Sequence, residues 1–318
     1  MTFYQSSDRL ESLGQQVLKK TWQEFPNLNL EQIALTWLVY DNPVIVHTGG
    51  AISAEAFWEH PVRGFSYRGN ERIYPASVVK LFYLVAIQEW LEGNMVQDSA
   101  ELERAIHDMI IESSNDATSY IVDTLTGTTS GPELPTEPLR TWAHQRNIIN
   151  RYYQGLGWPE LEPINVNQKP WGDGPYGRER QFLGADYQNR NMLTTKAIAR
   201  LFHSIMGGVA VSRERCQTMI KLLHRSIDPQ NLAPIDEDEN QVTGFLGEAL
   251  PAGSLLWSKA GWTSRVRHDA AYIEGPDRQP YLLTVFTEGE QHATNREILP
   301  FVSQQIFEAI ANIGEITD

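Results

Sequence analysis

The chain has 318 residues, 41% hydrophobic and 21% charged, a globular composition that suits one large or two closely packed domains. Its net charge of −14 argues against nucleic-acid partners and anionic membrane surfaces, since both are met by basic patches. No apolar run approaches the roughly 20 residues of a membrane span, and a single cysteine, Cys216, excludes an intramolecular disulfide or a CxxC metal site.

The opening MTFYQSSDRLESLGQQVLKK has neither an apolar h-region nor a small-residue cleavage site. The expected location is therefore cytoplasmic, or periplasmic if a leader is missing. Residues 7–25 place Leu10, Leu13, Val17, Leu18, Trp22 and Phe25 at helical spacing and stop before Pro26. IALTWLVYDNPVIVHTGG, residues 33–50, reads as a hairpin turning at Asp-Asn-Pro. From Ser77 to about Arg225 helical patterns dominate, broken by a Gly/Pro-rich, omega-type loop at about 127–191. Trp158, Trp171, Tyr176 and Phe182 argue that this loop is ordered. Residues 226–252 form an acidic connector. Three strand-like runs follow, SLLWSKAG, HDAAYIEG and YLLTVFTE, and then a closing helix from about Asn295 to Ile313. This order predicts an α/β fold of α+β type. Residues 1–75 and 226–318 build a five-stranded antiparallel sheet with terminal helices, and residues 76–225 form an inserted all-helical lobe.

One short stretch raises a chemical question. In YPASVVKLFYLV, residues 74–85, Lys80 follows Ser77 by three positions on a segment with hardly any polar face. Residues i and i+3 share one face of a helix. Lysine is rarely buried without a partner, and a buried ammonium either finds one or gives up its proton. Lys80 is thus a candidate base for the Ser77 hydroxyl. Taken alone, the SxxK pattern is weak, since chance supplies roughly 0.4 matches in such a chain, and a lysine snorkelling to the surface is the plainer account. Two further pieces give it weight by their order: Ser113-Ser114-Asn115 after the amphipathic run LERAIHDMIIE, and Lys259-Ala260-Gly261 on the first late strand.

Together these segments resemble the penicillin-binding protein and class A β-lactamase superfamily of active-site serine hydrolases. FSYRGNERIYPASVVK resembles that family's lead-in to its nucleophile helix. MIIESSNDATSYIVDTLTG resembles its Ser-x-Asn segment, and WSKAGWTSRVRHDAAYI its Lys-Thr/Ser-Gly strand with the strand that follows. RNMLTTKAIARLFHSI resembles the helix after the family's omega loop. The resemblance runs from about Gly64 to Phe286 and implies a β-lactamase/transpeptidase-like fold. It implies Ser77 as nucleophile, Lys80 as base, Ser113 as proton relay to the leaving nitrogen, and Asn115 as holder of Lys80 and of a substrate carbonyl. Lys259 would supply positive potential, and the N–H groups of Ser77 and Trp262 an oxyanion hole.

Three departures stand against the family pattern. Ala260 replaces the hydroxyl residue that meets the substrate's carboxylate beside Gly261. The stretch between Lys80 and Ser113 is too short for the family's extra hairpin. The loop offers Glu162, in LEPINVN, as the carboxylate that activates deacylating water, at an imperfect spacing. Arg178, with Glu179 and Arg180 in PYGRERQF, is a candidate for a substrate carboxylate, while a structural ion-pair cluster is the plainer reading of that run. His107-Asp108 and His268-Asp269 lack the nucleophile elbow of a Ser-His-Asp triad. No metal or cofactor motif is present, so none is expected. The expected partner is a small amide or ester, with a β-lactam as leading substrate by resemblance. The alternatives are a DD-peptidase or esterase, and a non-catalytic binding protein that keeps the fold. Oligomeric state is left open.

Overall fold

The computed structural model describes residues 3–44, 53–60, 62–172, 174–228, 240–311 and 313. The strands among them are β1 Tyr4–Gln5, β2 Ile33–Val39, β3 Val62–Tyr67, β4 His224–Arg225, β5 Leu255–Trp262, β6 Val266–Glu274 and β7 Tyr281–Glu288. They form one seven-stranded sheet in the order β1-β3-β2-β7-β6-β5-β4. The helices are α1 Asp8–Glu24, α2 Ala54–Glu59, α3 Lys80–Glu92, α4 Ala100–Ile110, α5 Asn115–Thr126 and α6 Thr136–Arg146. They continue with α7 Ile148–Gly155, α8 Gly177–Leu183, α9 Thr195–Met206, α10 Arg213–Leu223, α11 Glu290–Thr294 and α12 Ile298–Ile310.

The five longer strands are antiparallel throughout. The sheet exceeds the expected five because two-residue strands are added at its edges, β1 parallel to β3 and β4 antiparallel to β5. Elements that short carry no alternation for a sequence to reveal. The early hairpin also needs correction. β2 is flanked by β3 and β7, and the second expected strand, residues 45–50, lies outside the described residues. β3 reads VRGFSY, in which Arg63 and Gly64 mask the strand pattern.

β2 is buried at every position because helices cover both faces of the sheet. Leu35, Trp37, Val39, Ala271, Ile273, Leu283 and Val285 pack with α1 and α12 on one face. Ala34, Leu38, Ala270, Tyr272, Leu282 and Phe286 face the other, with α3, α4, α5 and α9. α3 is buried from Lys80 through Gln88, as its all-round apolar pattern requires.

The segment at 127–191 is ordered but is no plain loop, since it contains α6, α7 and α8. Pro138 concealed α6. It sits in the first helical turn, where a missing N–H costs nothing. A buried ionic cluster holds this segment. Arg146 donates to Glu179 at 2.8 and 3.1 Å and to Asp123 at 3.3 Å. Lys169 Nζ lies 2.7 Å from Asp123 and 3.8 Å from Glu179. Arg146 also stacks on Trp142, its guanidinium 4.5 Å from a ring centroid. Glu179 therefore takes the structural place foreseen for the Arg178-Glu179-Arg180 run.

Candidate active site

Ser77 lies half-buried in a 3-10 turn, Ala76–Val79, and the α-helix proper begins at Lys80 rather than at the serine. Ala76 has φ 46° and Ser113 φ 52°, left-handed values that non-glycine residues adopt at a cost of about 1–3 kcal/mol each. The surrounding structure holds both. Ile73 pairs with Leu193, and the Tyr74 carbonyl accepts from His268 Nε2 at 2.9 Å. Thr287 N–H donates to His268 Nδ1 at 3.2 Å, so the imidazole is the neutral Nε2–H tautomer. Burial pushes its pKa down to about 3. His268 stacks on Phe286, and Asp269 accepts from Leu246 N–H instead, so the two form no triad. His107 and Asp108 pair with each other at the surface.

Gly261 is where β5 meets this turn. A Cβ there would stand 2.7 Å from Ser77 N, 2.7 Å from Val78 N and 2.9 Å from Pro75 O. All three are backbone atoms, so only glycine lets the strand run alongside the serine. The Ser77 N–H makes no hydrogen bond among the described residues. Unpaired donors at the start of a helix favour negative charge.

The lysines converge on one hydroxyl. Lys80 Nζ donates to Ser113 Oγ at 3.2 Å, to Asn115 Oδ1 at 3.0 Å and to the Ser113 carbonyl. Lys259 Nζ donates to the same Ser113 Oγ at 3.0 Å, to Ala260 O at 2.9 Å and to Gln241 Oε1. Both lysines are fully buried. Burial lowers the Lys80 pKa to about 7. For Lys259, burial first, then the charges of Lys80 and Arg225, push it well below its usual value, while Asp269 pulls the other way. No carboxylate oxygen lies within 4.0 Å of either ammonium among the described residues. Lys80 spends its three donors on Ser113 and Asn115, and none reaches Ser77 Oγ in this state.

Residues 94–310 match the family model of the beta-lactamase enzyme family, Beta-lactamase2, over more than half of the chain. The chain belongs to the beta-lactamase enzyme family. The matched span contains Ser113, Asn115 and Lys259 and begins beyond Ser77 and Lys80. Solved structures agree on the fold. A β-lactamase from Sphaerobacter thermophilus is 18% identical with TM-score 0.61, over 93% of this chain and 97% of that one. PBP-A is 17% identical with TM-score 0.63, over 98% of both chains. A PBP-A variant, solved as its acyl-enzyme with penicillin G, gives TM-score 0.64 at 17% identity, over 97% and 98%. No curated protein matches the chain at a significant level.

The remaining expected residues are placed less centrally. Ala260 is fully buried in the layer under α1 and α12, because alternation along β5 turns Lys259 and Gly261 toward Ser77 and residue 260 away. The expectation that position 260 faces the cleft is thereby corrected. A threonine there would overpack a core, at about 1–3 kcal/mol, instead of meeting a substrate. Trp262 packs its ring against Phe245 at 5.5 Å. Glu162 is exposed at the end of a 3-10 turn and makes no side-chain hydrogen bond or ion pair among the described residues. Arg178 Nε donates to Pro132 O at 3.1 Å, within the 127–191 segment. Gln241 was not foreseen. Its Oε1 accepts from Lys259 while its Nε2 donates to the Ile110 and Ile111 carbonyls, tying β5 to the end of α4. A neutral amide inside an acidic connector carries no pattern that would have marked it. Among the described residues no group of three or more His, Cys, Asp or Glu could hold a metal ion, and no helix is long and apolar enough to cross a membrane.

Proposed function

We propose that this β-lactamase-family member is a serine hydrolase whose Ser77 attacks an amide or ester carbonyl to form an acyl-enzyme. The observation that carries this reading is the Ser113 hydroxyl, in the turn between α4 and α5, bonded by two buried lysines, one of which, Lys80, begins the helix that follows Ser77. A lysine with a pKa near 7 is half neutral at neutral pH and accepts a proton as Ser77 Oγ bonds to the carbonyl carbon. The proton then passes through Ser113 to the departing nitrogen or oxygen as its bond to carbon breaks. The Ser77 and Trp262 N–H groups receive the oxyanion, Asn115 orients Lys80, and the cleft lies between the sheet lobe and the inserted helical lobe.

A second reading, toward a DD-peptidase or esterase with a lasting acyl-enzyme, is favoured by the absence of any carboxylate against Lys80. Glu162 at the surface is poorly sited to activate water. Intact-mass analysis after mixing with penicillin G tests both. One adduct per chain is expected, absent in Ser77→Ala, and its persistence over many minutes selects the second reading over fast β-lactam hydrolysis. No adduct with penicillin G and no turnover of 4-nitrophenyl esters would leave a binding protein as the answer.

A further inference from the structure

Arg190 packs against the lead-in to Ser77. Its guanidinium carbon lies 3.5 Å from the Tyr74 ring centroid, and Tyr74 precedes Ser77 by three residues. Three trans peptide steps cannot separate those Cα atoms by more than about 11 Å. The segment carrying Arg190 is fixed there. Asn165 Nδ2 donates to Arg190 O at 2.8 Å, and Leu193 bridges Ile73. Arg190 is half-buried, yet its side chain makes no hydrogen bond and no ion pair among the described residues. Arg180 stacks on Tyr187 at 4.6 Å, and the same ring lies 6.0 Å from Arg190. Arg180 likewise has no acidic partner among the described residues. The chain holds 40 acidic and 26 basic residues, so two neighbouring arginines left without an acid are not a matter of supply.

Lys259 and Arg178, the other cations expected to meet a substrate carboxylate, are committed. Lys259 is fully buried and bonded to three acceptors, and Arg178 is bonded to the Pro132 carbonyl. Arg190 retains a planar fork of donors, stacked flat on an aromatic ring, which suits bidentate capture of a carboxylate.

We propose that Arg190, backed by Tyr74 and Arg180, recognises a carboxylate on the acyl portion of the substrate. The side follows from the relay. The leaving group departs toward Ser113 and Lys259, which join the far end of the Lys80 chemistry. We assign the acyl portion to the opposite direction, toward the lead-in to Ser77, whose Tyr74 carries Arg190. This assignment rests on the proposed acyl-enzyme reading and names the substrate class for it: an ester or amide whose acyl chain ends in a carboxylate.

Three esters separate the possibilities: mono-4-nitrophenyl glutarate, with the carboxylate on the acyl side, 3-carboxy-4-nitrophenyl pentanoate, with it on the leaving group, and neutral 4-nitrophenyl pentanoate. Arg190→Gln is expected to lower kcat/KM for the glutarate ester by roughly 10–150-fold, the contribution of a hydrogen bond to a charged group. The other two esters should hardly change, and Arg190→Lys should restore part of the loss. An equal fall on all three esters would make Arg190 a prop for Tyr74, and a selective fall on the leaving-group carboxylate would place the anion on the other side. Either result overturns the proposal, as does no fall at all. Binding to Ser77→Ala protein keeps the test independent of catalysis. NMR titration should find monomethyl glutarate bound more tightly than methyl pentanoate, with the preference lost in Ser77→Ala/Arg190→Gln. Absence of that preference defeats anion recognition even if Ser77 acylates, and its presence upholds recognition even if Ser77 does not.

Discussion

Lys80 and Lys259 both press on the Ser113 hydroxyl, and with no carboxylate oxygen within 4.0 Å of either among the described residues, charging both is costly. This makes Lys80 visible in stability as well as rate. Its folded pKa of about 7 lies below the ordinary 10.5, so between those values the unfolded chain binds more protons than the folded one. Stability contributed at this site must therefore rise with pH across that window, and the penalty is complete below about pH 7. Lys80→Met should remove this pH-dependent rise, which amounts to about 5 kcal/mol over the window. Denaturant melts of both proteins at pH 6 and pH 10 measure it, and a difference that stays constant with pH would mean Lys80 remains charged. The same variant should slow acylation of Ser77 by roughly 10²–10⁴-fold, and wild-type acylation should climb with pH through about 7. The burial of Lys80 was legible in the sequence from the apolar run around it, and Ser113 and Asn115 are the partners that a buried ammonium needs. Ala260 was misread although the period of two along β5 already set it opposite Lys259 and Gly261. Gln241 left no trace, since nothing about a glutamine in a connector announces which lysine it will meet.

Between elements, the decisive contact is β5 against the Ser77 turn. Gly261→Ala would drive a methyl group into Ser77 N, Val78 N and Pro75 O, none of which can swing aside. The turn must shift, and misplacement of a nucleophile by about 1 Å costs on the order of 10²-fold. Gly261→Ala is thus expected to acylate at least that much more slowly while keeping a cooperative melt, and an unimpaired rate of penicillin G labelling would show that the turn can yield. The second inter-element feature is the cluster of Arg146, Glu179, Asp123 and Lys169. Glu179→Ala leaves a buried guanidinium and a buried ammonium with one partly exposed carboxylate between them. Removing one partner of such a pair costs about 3–5 kcal/mol, which chemical denaturation should register. A loss under 1 kcal/mol would mean that water replaces Glu179. The strands of the C-terminal half and α3 were legible from uniform apolar patterning. α6 to α8 were not, because their glycines and prolines lie at turn boundaries and first turns, where they punctuate helices without preventing them.

At the scale of the whole molecule, the sheet is sewn from both ends of the chain. β2 pairs along its whole length with β7, Ile33 opposite Thr287 and Val39 opposite Tyr281, while β6 covers the far side of β7. A chain ending at Gly275 would lack β7, α11 and α12, leaving β2 and β6 with open edges. Such a chain is expected to show no cooperative thermal transition and no labelling by penicillin G. A folded, labelled truncation would show that the site stands without β7 and the helices after it. The pairing also sets an order of events during synthesis. The strand at the centre of the sheet is among the last made, so β2 emerges from the ribosome long before its second neighbour exists. Contacts this distant in sequence fold slowly, and in the interval the nascent chain carries β2, apolar but for Thr36, with its β7 edge open. The protein is therefore most exposed to misassociation just before completion, and a chaperone that shields β2 until β7 arrives would raise its yield without touching the finished protein.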